Sequence, residues 1–334
     1  MLRLLFRLGI LLCVTAIAVG VWAFVELHDP FGEFPEPITF EYLPGTTSQA
    51  TAVALEELGV VESRWHFLGA RALNREEVLM AGEYEFAIAE SPLDIIARLA
   101  GGDVMLRTLT IPEGLTRFET AKLIAEAGYA EEEEFLALTA DSSAIRDIAP
   151  DAETLEGFLF PETYSLSKTT SGEQLIEAML ANFRTAFAAA NEDAGAELAP
   201  LEVITLASLI EKETGVAAER PLVSAVFHNR LERGMRMQCD PTIIYGLLVE
   251  GRYRGDIYAS DLIDPHPYNT YVHTGLPPGP IANPGAASLH AALAPADSDY
   301  IFFVANPGGE GSHTFSVTLS DHNRAVARFR AGGD

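Results

Sequence analysis

From Leu8 to Val25 the chain runs for 18 consecutive residues without a charged side chain, about the minimum that crosses a ~30 Å hydrocarbon layer as a helix. No other feature restricts the possible folds as strongly, because it sets aside the first 29 residues as a cytoplasmic tip and transmembrane anchor. Arg3 and Arg7 precede the run, whereas Glu26, Asp29 and Glu33 follow it. Basic flanks resist translocation and acidic ones hardly matter, so the expected topology is single-pass, with the N-terminus in the cytoplasm and the remaining ~300 residues outside the cytoplasmic (inner) membrane, in the periplasmic or extracytoplasmic space. A cleaved signal peptide is the alternative, with Ala16-Ile17-Ala18 as a cleavage-like site. The apolar run continues through Trp22, Phe24 and Val25, beyond a typical signal-peptide core, which favours a retained anchor.

Charge and cysteine usage exclude several classes. The formal net charge of −26 leaves no basic patch to displace counterions from a nucleic-acid backbone. A strongly acidic exported body reads as a solubility feature. Cys13 lies in the anchor and Cys239 stands alone beyond it, so no disulfide is expected within the exported part. No Cys/His cluster has zinc spacing, and nothing calls for a metal or cofactor.

Residues 30–37 hold Pro30, Pro35 and Pro37 among acidic residues and read as an extended spacer. An internal repeat follows. The offsets from Gly45 to Thr47, Ala52, Leu55 and Gly59 match those from Gly114 to Thr116, Ala121, Ile124 and Gly128. Each copy reads as strand, tight turn, N-capped helix and glycine stop, with Thr47 and Thr116 as the caps. The first copy continues through the strand-like "GEYEF" (Gly82 to Phe86) and the helix "SPLDIIARLAGG", closed by Gly101 and Gly102. Residues 38–106 therefore resemble a small LysM-like βααβ module, a fold that often binds glycan chains, and 107–154 form a second strand-helix repeat or linking subdomain. Residues 155–334 form the largest body. In it we expect a helix near Glu173 to Asn191, a helix end and loop over Ala186 to Pro200, and an apolar helix from Leu201 to Thr214. Beyond "FHNRLERGMRMQCDPTIIYGL", read as a helix then a turn, comes a Pro/Gly-rich stretch. The end is α/β: a helix from Ala286 to Leu293, a buried strand in "DYIFFVA", a hairpin around Gly308 to Gly311, the strand "HTFSVTLS" and a final helix near Asp321. The fold class is α+β, with a mixed α/β C-terminal domain.

Chemistry concentrates in "VITLASLIEKETG", Val203 to Gly215, where Glu211 ends eight residues without a charged side chain. Burial disfavours an ionised carboxyl and raises its pKa, the property a general acid needs near neutral pH. Glu213 is offset by about 200° on the helical wheel, so the two carboxylates do not share a pocket. The wheel selects Glu211, which stacks over Ala207 and Ser208, and sends Glu213 with Lys212 to the helix edge. The bland alternative is a solvated Glu-Lys-Glu helix end. Downstream, "GMRMQCDPT" brings Gln238 and Asp240 together and "PYNTY" surrounds Asn269 with aromatics. Aromatic faces and side-chain amides grip sugar rings and N-acetyl groups, although Tyr and Asn are also ordinary loop residues.

The motifs "EGFLFPETY", "LASLIEKETG", "VFHNRLERGMRMQCDPT", "IIYGL", "YNTY", "GLPPGPIANPG" and "HTFSVTLSDHN" run in order from Glu156 to Asn323. In this the chain resembles the MltG/YceG-like endolytic murein transglycosylases. The resemblance implies a membrane anchor, a LysM-like module and a catalytic domain related to lysozyme-like lytic transglycosylases. It places Glu211 at the catalytic glutamate, followed by Lys212 where lysozyme-like relatives carry Ser. Gly234 to Gln238 is similar to their Gly-Leu-Met-Gln loop and Tyr268-Asn269 to their Tyr-Asn motif, while Cys239 departs from the commoner small hydroxyl residue. The implied reaction is non-hydrolytic cleavage of the MurNAc-GlcNAc β-1,4 bond of peptidoglycan, giving 1,6-anhydroMurNAc ends. Gln238, Asn269 and Tyr271 would orient the sugar, with Tyr245, Tyr268 and Thr270 as further substrate-binding residues. Asp240 and Glu162 are possible hydrogen-bond anchors, Glu162 better suited to holding its own turn. Expected partners are peptidoglycan glycan strands, the membrane and peptidoglycan synthases, with a role in ending nascent glycan elongation.

Other functions stay open on sequence alone. One is a glycan-binding scaffold without catalysis; another is a hydrolytic muramidase with Asp240 or Glu162 as its second carboxylate. A metalloenzyme is disfavoured, since His228, His266, His273, His290, His313 and His322 form no helical i, i+4 pair and no HExxH occurs. Gly308, Gly309 and Gly311 read as a hairpin turn rather than a nucleotide loop.

Overall fold

A computed structural model describes residues 2–192, 198–308 and 311–332. Residues 193–197 of the expected 186–200 loop, and Gly309 of the expected hairpin turn, lie outside the described residues. The chain forms two compact units, Met1–Thr108 with Ser165–Thr170, and Leu109–Tyr164 with Ser171–Asp334.

The first unit begins with helix α1 (Leu2–His28). Its segment Phe6–His28 is long and apolar enough to cross a membrane. Next come β1 (Ile38–Tyr42), α2 (Ser48–Glu57), α3 (Arg64–Leu73), β2 (Gly82–Phe86) and α4 (Pro92–Gly101). Strands β1 and β2 pair antiparallel, with Ile38 opposite Phe86 and Tyr42 opposite Gly82. The alternation along β2 drives Tyr84 and Phe86 into a core with Phe40, Leu55, Phe67, Ile95, Ile96 and Leu99. Leu27, in the last turn of α1, joins that core. Residues 30–37 stay close to the unit: Phe31 N–H donates to the Glu90 carbonyl and Phe34 packs on the core. The returning segment 165–170 is held by Lys168, whose Nζ lies 2.9 Å from Glu41 and 3.3 Å from Glu83.

Both copies of the repeat take the expected form. Gly45 and Gly114 have φ of 78° and 77°, a left-handed turn conformation that glycine adopts without the Cβ penalty. The Thr47 hydroxyl then caps α2 by accepting from Ala50 N–H. Thr116 caps α5 (Arg117–Glu126) in a reciprocal box with Glu119.

Helix α5 opens the second unit's helical part, followed by α6 (Glu132–Thr139), α7 (Gly172–Asn191), α8 (Pro200–Glu213), α9 (Arg220–Glu232), α10 (Asp240–Val249) and α11 (Ala286–Leu293). Strand β3 (Arg107–Thr110) pairs with β4 (Thr163–Leu166). The chain passes from one unit to the other within these two strands. Helix α11 packs on α7, α8 and α9. Val203, Ile204, Leu206, Ala207, Leu209 and Ile210 of α8 are all buried, and each such Leu or Ile contributes about 1.5–3 kcal/mol through the area it removes from water. Strands β5 (Phe302–Ala305) and β6 (His313–Ser316) form an antiparallel ribbon covered by α12 (Leu319–Ala331). The strand expected to be buried is therefore half-buried, because a two-stranded ribbon packed on helices keeps partly open faces. The stretch after Asp240, expected as a turn, is the helix α10; Pro241 sits in its first turn, where proline's missing N–H costs no hydrogen bond.

Candidate active site

The last turn of α8 carries Glu211 and Glu213, and the segments packed around it send the two in different directions. The Glu211 side chain is 6% exposed. Its Oε2 accepts from Gly285 N–H at 3.0 Å, and its Oε1 lies 3.4 Å from Arg220 Nη2. The same Arg220 nitrogen lies 3.6 Å from Glu113 Oε2, so one guanidinium sits between two carboxylates. Arg220 is itself only 11% exposed, and its buried Nε has no hydrogen-bond partner among the described residues. A Cβ built on Gly285 would overlap the Glu113 carboxyl, so only glycine permits the approach. Burial first, and then the neighbouring charge of Glu211, push the Glu113 carboxyl above the usual carboxylate range, against the pull of Arg220.

Three further contacts fix this arrangement. Lys212 Nζ donates to the Gly114 carbonyl at 3.0 Å, tying the end of α8 to the turn that presents Glu113. Ser208, buried in α8, accepts from Ile281 N–H at 3.0 Å. Asn283, 1% exposed, clamps three segments. Its Oδ1 accepts from Gly157 and Leu159 N–H, its Nδ2 donates to the Leu115 carbonyl, and its own carbonyl accepts from Gly114 N–H, all at 2.9–3.0 Å.

The apolar surroundings expected for Glu211 belong instead to Glu213. Glu211 is enclosed by donors, whereas Glu213 is pushed up chiefly by burial, with Cys239 pulling the other way. A helical wheel counts only the helix's own residues. Here the 283–285 turn covers one side of the helix end and the Cys239 loop the other.

Around that loop, Tyr271 Oη donates to Asp240 Oδ1 at 2.6 Å. Burial first, and then this bond, push the Tyr271 phenol up. Thr270, buried, accepts from Cys239 N–H at 3.1 Å and pairs with Thr242 at 2.9 Å. The Gln238 side chain is exposed and its backbone is left-handed, with φ 54°. Asn269 is buried and fully used within its own loop, donating to the Asp261 and Asp264 carbonyls and accepting from Tyr271 N–H. Its amide thus shapes the loop that presents Tyr271.

Tyr245 and Tyr268 form a separate cluster, their ring centroids 4.8 Å apart, in a small cleft with Glu156 and Arg117. Glu156 is 2% exposed and accepts from Arg117 N–H at 3.0 Å. Burial pushes its carboxyl up to about 7, opposed by that N–H and by the Tyr245 hydroxyl. Glu162 is exposed; its carboxylate accepts from Thr163 N–H and its carbonyl from Ile111 N–H, so it holds its own turn. The cavity of about 470 Å³ between α8, α9 and the end of α11 contains none of these residues.

Sequence reasoning missed Glu113, Arg220, Gly285 and Asn283. The repeat held one usable signal: the residue before the turn glycine is Pro44 in the first copy and Glu113 in the second. Among the described residues, donor atoms that could together hold a metal ion come from Glu26, Glu62 and His66, all in the first unit.

A family model described as YceG-like matches residues 40–328. The chain is 32% identical over 302 residues to the endolytic murein transglycosylase of Bacillus subtilis (strain 168), which spans 85% of this chain and 82% of that protein. It is 31% identical over 315 residues to the endolytic murein transglycosylase of Streptococcus pneumoniae serotype 2 (strain D39), of whose length it spans 56%. The crystal structure of a yceG-like protein from Listeria monocytogenes matches with a TM-score of 0.58 at 32% identity, over 86% of this chain and 99% of that one.

Proposed function

The chain belongs to the YceG-like family, and on that premise we propose that it is an endolytic murein transglycosylase acting on peptidoglycan glycan strands, with Glu211 as its acid/base. The observation that carries this reading is the enclosed Glu211 carboxyl, fixed by Gly285 N–H and sharing Arg220 with Glu113. A positioned acid needs a single orientation and a way to hold a proton. The rigid turn supplies the first; beside Glu211, burial and then the Glu211 charge hold the Glu113 carboxyl above the usual carboxylate range, so the pair keeps a proton within reach.

In the proposed reaction Glu211 gives its proton to the glycosidic oxygen as the bond to C1 of N-acetylmuramic acid breaks, and the N-acetyl group steadies the cationic centre. The C6 hydroxyl of the same sugar attacks C1, closing a 1,6-anhydro ring, and the Glu211 carboxylate takes the C6 proton. An internal nucleophile has an effective molarity on the order of 10⁵ M in good geometry, so no activated water is required. Gln238 and the Tyr271–Asp240 pair would contact the sugar, with Asn269 and Thr270 shaping their loop. Tyr245 and Tyr268, set against Glu156, would act as an aromatic wall.

The finer architecture is proposed in the same terms. The β1-α2-α3-β2 arrangement supports a LysM-like module at 38–106, and the catalytic body is taken as related to lysozyme-like transglycosylases. Helix α1 would anchor the chain in the cytoplasmic membrane with the N-terminus inside, and synthases would be neighbours in ending glycan elongation. The presence of Glu113 favours one second reading, a muramidase in which Glu113 rather than Asp240 or Glu162 is the second carboxylate. Mass spectrometry of the products from purified glycan strands decides between them. Anhydro ends are expected; reducing ends would establish hydrolysis, and intact strands a binding protein.

A further inference from the structure

Helix α3 leaves two large apolar side chains outside the first unit's core. Helix α3 carries Trp65 and Leu73, 73% and 71% exposed. Both share a stripe with Gly69, since steps of four residues return to nearly the same face of a helix. Gly69 is where α3 meets α1: a Cβ built there would lie 3.4 Å from Leu27 Cδ2. Near the start of α3, His66 Nε2 lies 3.7 Å from Glu26 Oε2. Only the last turn of α1 is covered: Leu27 is 9% exposed, whereas Trp22, Phe24 and Val25 are 59%, 64% and 54% exposed. Helix α3 therefore meets the end of α1 and does not run back along it.

That contact fixes the depth at which α3 meets a membrane spanned by α1. The uncharged run ends at Val25 and Glu26 follows, which puts the level of α3 at the boundary between hydrocarbon and headgroups. Phe67 and Ala70 turn inward and are fully buried, leaving the Trp65-Gly69-Leu73 stripe on the side that meets α1. Trp is the residue most at home at that depth, with an apolar ring and a donor that reaches water or headgroups.

We propose that α3 is an interfacial helix whose Trp65 and Leu73 rest on the lipid bilayer on either side of the emerging anchor. The partner is the bilayer surface itself, continuous with the lipid that surrounds α1, and the proposal rests on the reading of α1 as membrane-spanning. The first unit is thereby held at a fixed tilt on the membrane instead of swinging on a tether.

The chain contains only two tryptophans, Trp22 and Trp65, which makes the test direct. The full-length W22F variant, in phosphatidylcholine vesicles, leaves Trp65 as the sole emitter. Its emission is expected to be blue-shifted, quenched several-fold more by lipids brominated near the headgroup than by lipids brominated near the chain end, and shielded from aqueous iodide. Red-shifted emission quenched by iodide and by neither lipid would overturn the proposal. The W65F variant reports Trp22 in α1. Quenching of Trp22 by deep bromines alongside an iodide-accessible Trp65 overturns the interfacial helix alone, whereas a Trp22 that no lipid quenches overturns the membrane reading as well.

Discussion

Arg220 holds two carboxylates at once. Burial first, and then the charge of Glu211, keep the Glu113 carboxyl protonated to higher pH than usual. Replacing Glu113 by Gln keeps the shape of the side chain and removes one of the two carboxylates that Arg220 holds. The expected outcome is a fall in kcat/KM of about tenfold to a hundredfold with the fold intact by circular dichroism; an unchanged kcat/KM would assign Glu113 a purely structural part. Glu156 offers a titration that is read in stability. Its carboxyl ionises near 4.5 when unfolded and at about 7 when buried, so between those values the unfolded chain has lost a proton that the folded one keeps. Stability therefore falls as pH rises from about 4.5 to about 7, by a few kcal/mol. Thermal unfolding across that range should show the decline in the wild type and a flatter profile in Glu156→Gln.

At the scale of elements, the site depends on turns held to one another more than on the helices that end there. Asn283 joins the 114–115, 157–159 and 283–285 segments. Asn283→Ala leaves the buried Gly157 and Leu159 N–H groups without an acceptor, at about 1–3 kcal/mol each. Denaturant unfolding should register a loss of roughly 3 kcal/mol or more, and the variant should lose activity even at temperatures where it stays folded, because Gly285 and Glu113 move with the clamp. The clamp was not legible in the sequence, since it pairs residues more than a hundred positions apart. What could be read were local signals: the glycine stop of α4, the matched caps of α2 and α5, and the span of α11. Helix α10 was missed because Pro241 beside a Cys-Asp pair looks like a turn, although proline in a first turn starts a helix equally well. Glu211 stood out by the apolar run before it. Its partners did not, and Glu213 was placed wrongly, because a wheel cannot show what packs over a helix end.

For the molecule as a whole, a chain with a net charge of −26 keeps Glu113, Glu156 and Glu211 in its second unit and the apolar helix α1 in its first. Removing residues 1–29 should release the protein from membranes in a fractionation experiment. It should also expose Leu27's place in the first unit's core, lowering that unit's stability by about 2–5 kcal/mol. Unchanged stability in the shortened protein would mean that the anchor and the module are independent. Charge in the sequence marks where the apolar run ends, but gives no sign that the last turn of α1 is also a core element. Of the two carboxyls at the end of α8, Glu211 is the one proposed to act on the glycan. Full-length Glu211→Gln and Glu213→Gln, purified in parallel and incubated with glycan strands, separate their parts. Glu211→Gln is expected to stay folded and release no anhydro-ended fragments while Glu213→Gln still cleaves; cleavage by Glu211→Gln, with activity lost only in Glu213→Gln, would overturn the assignment.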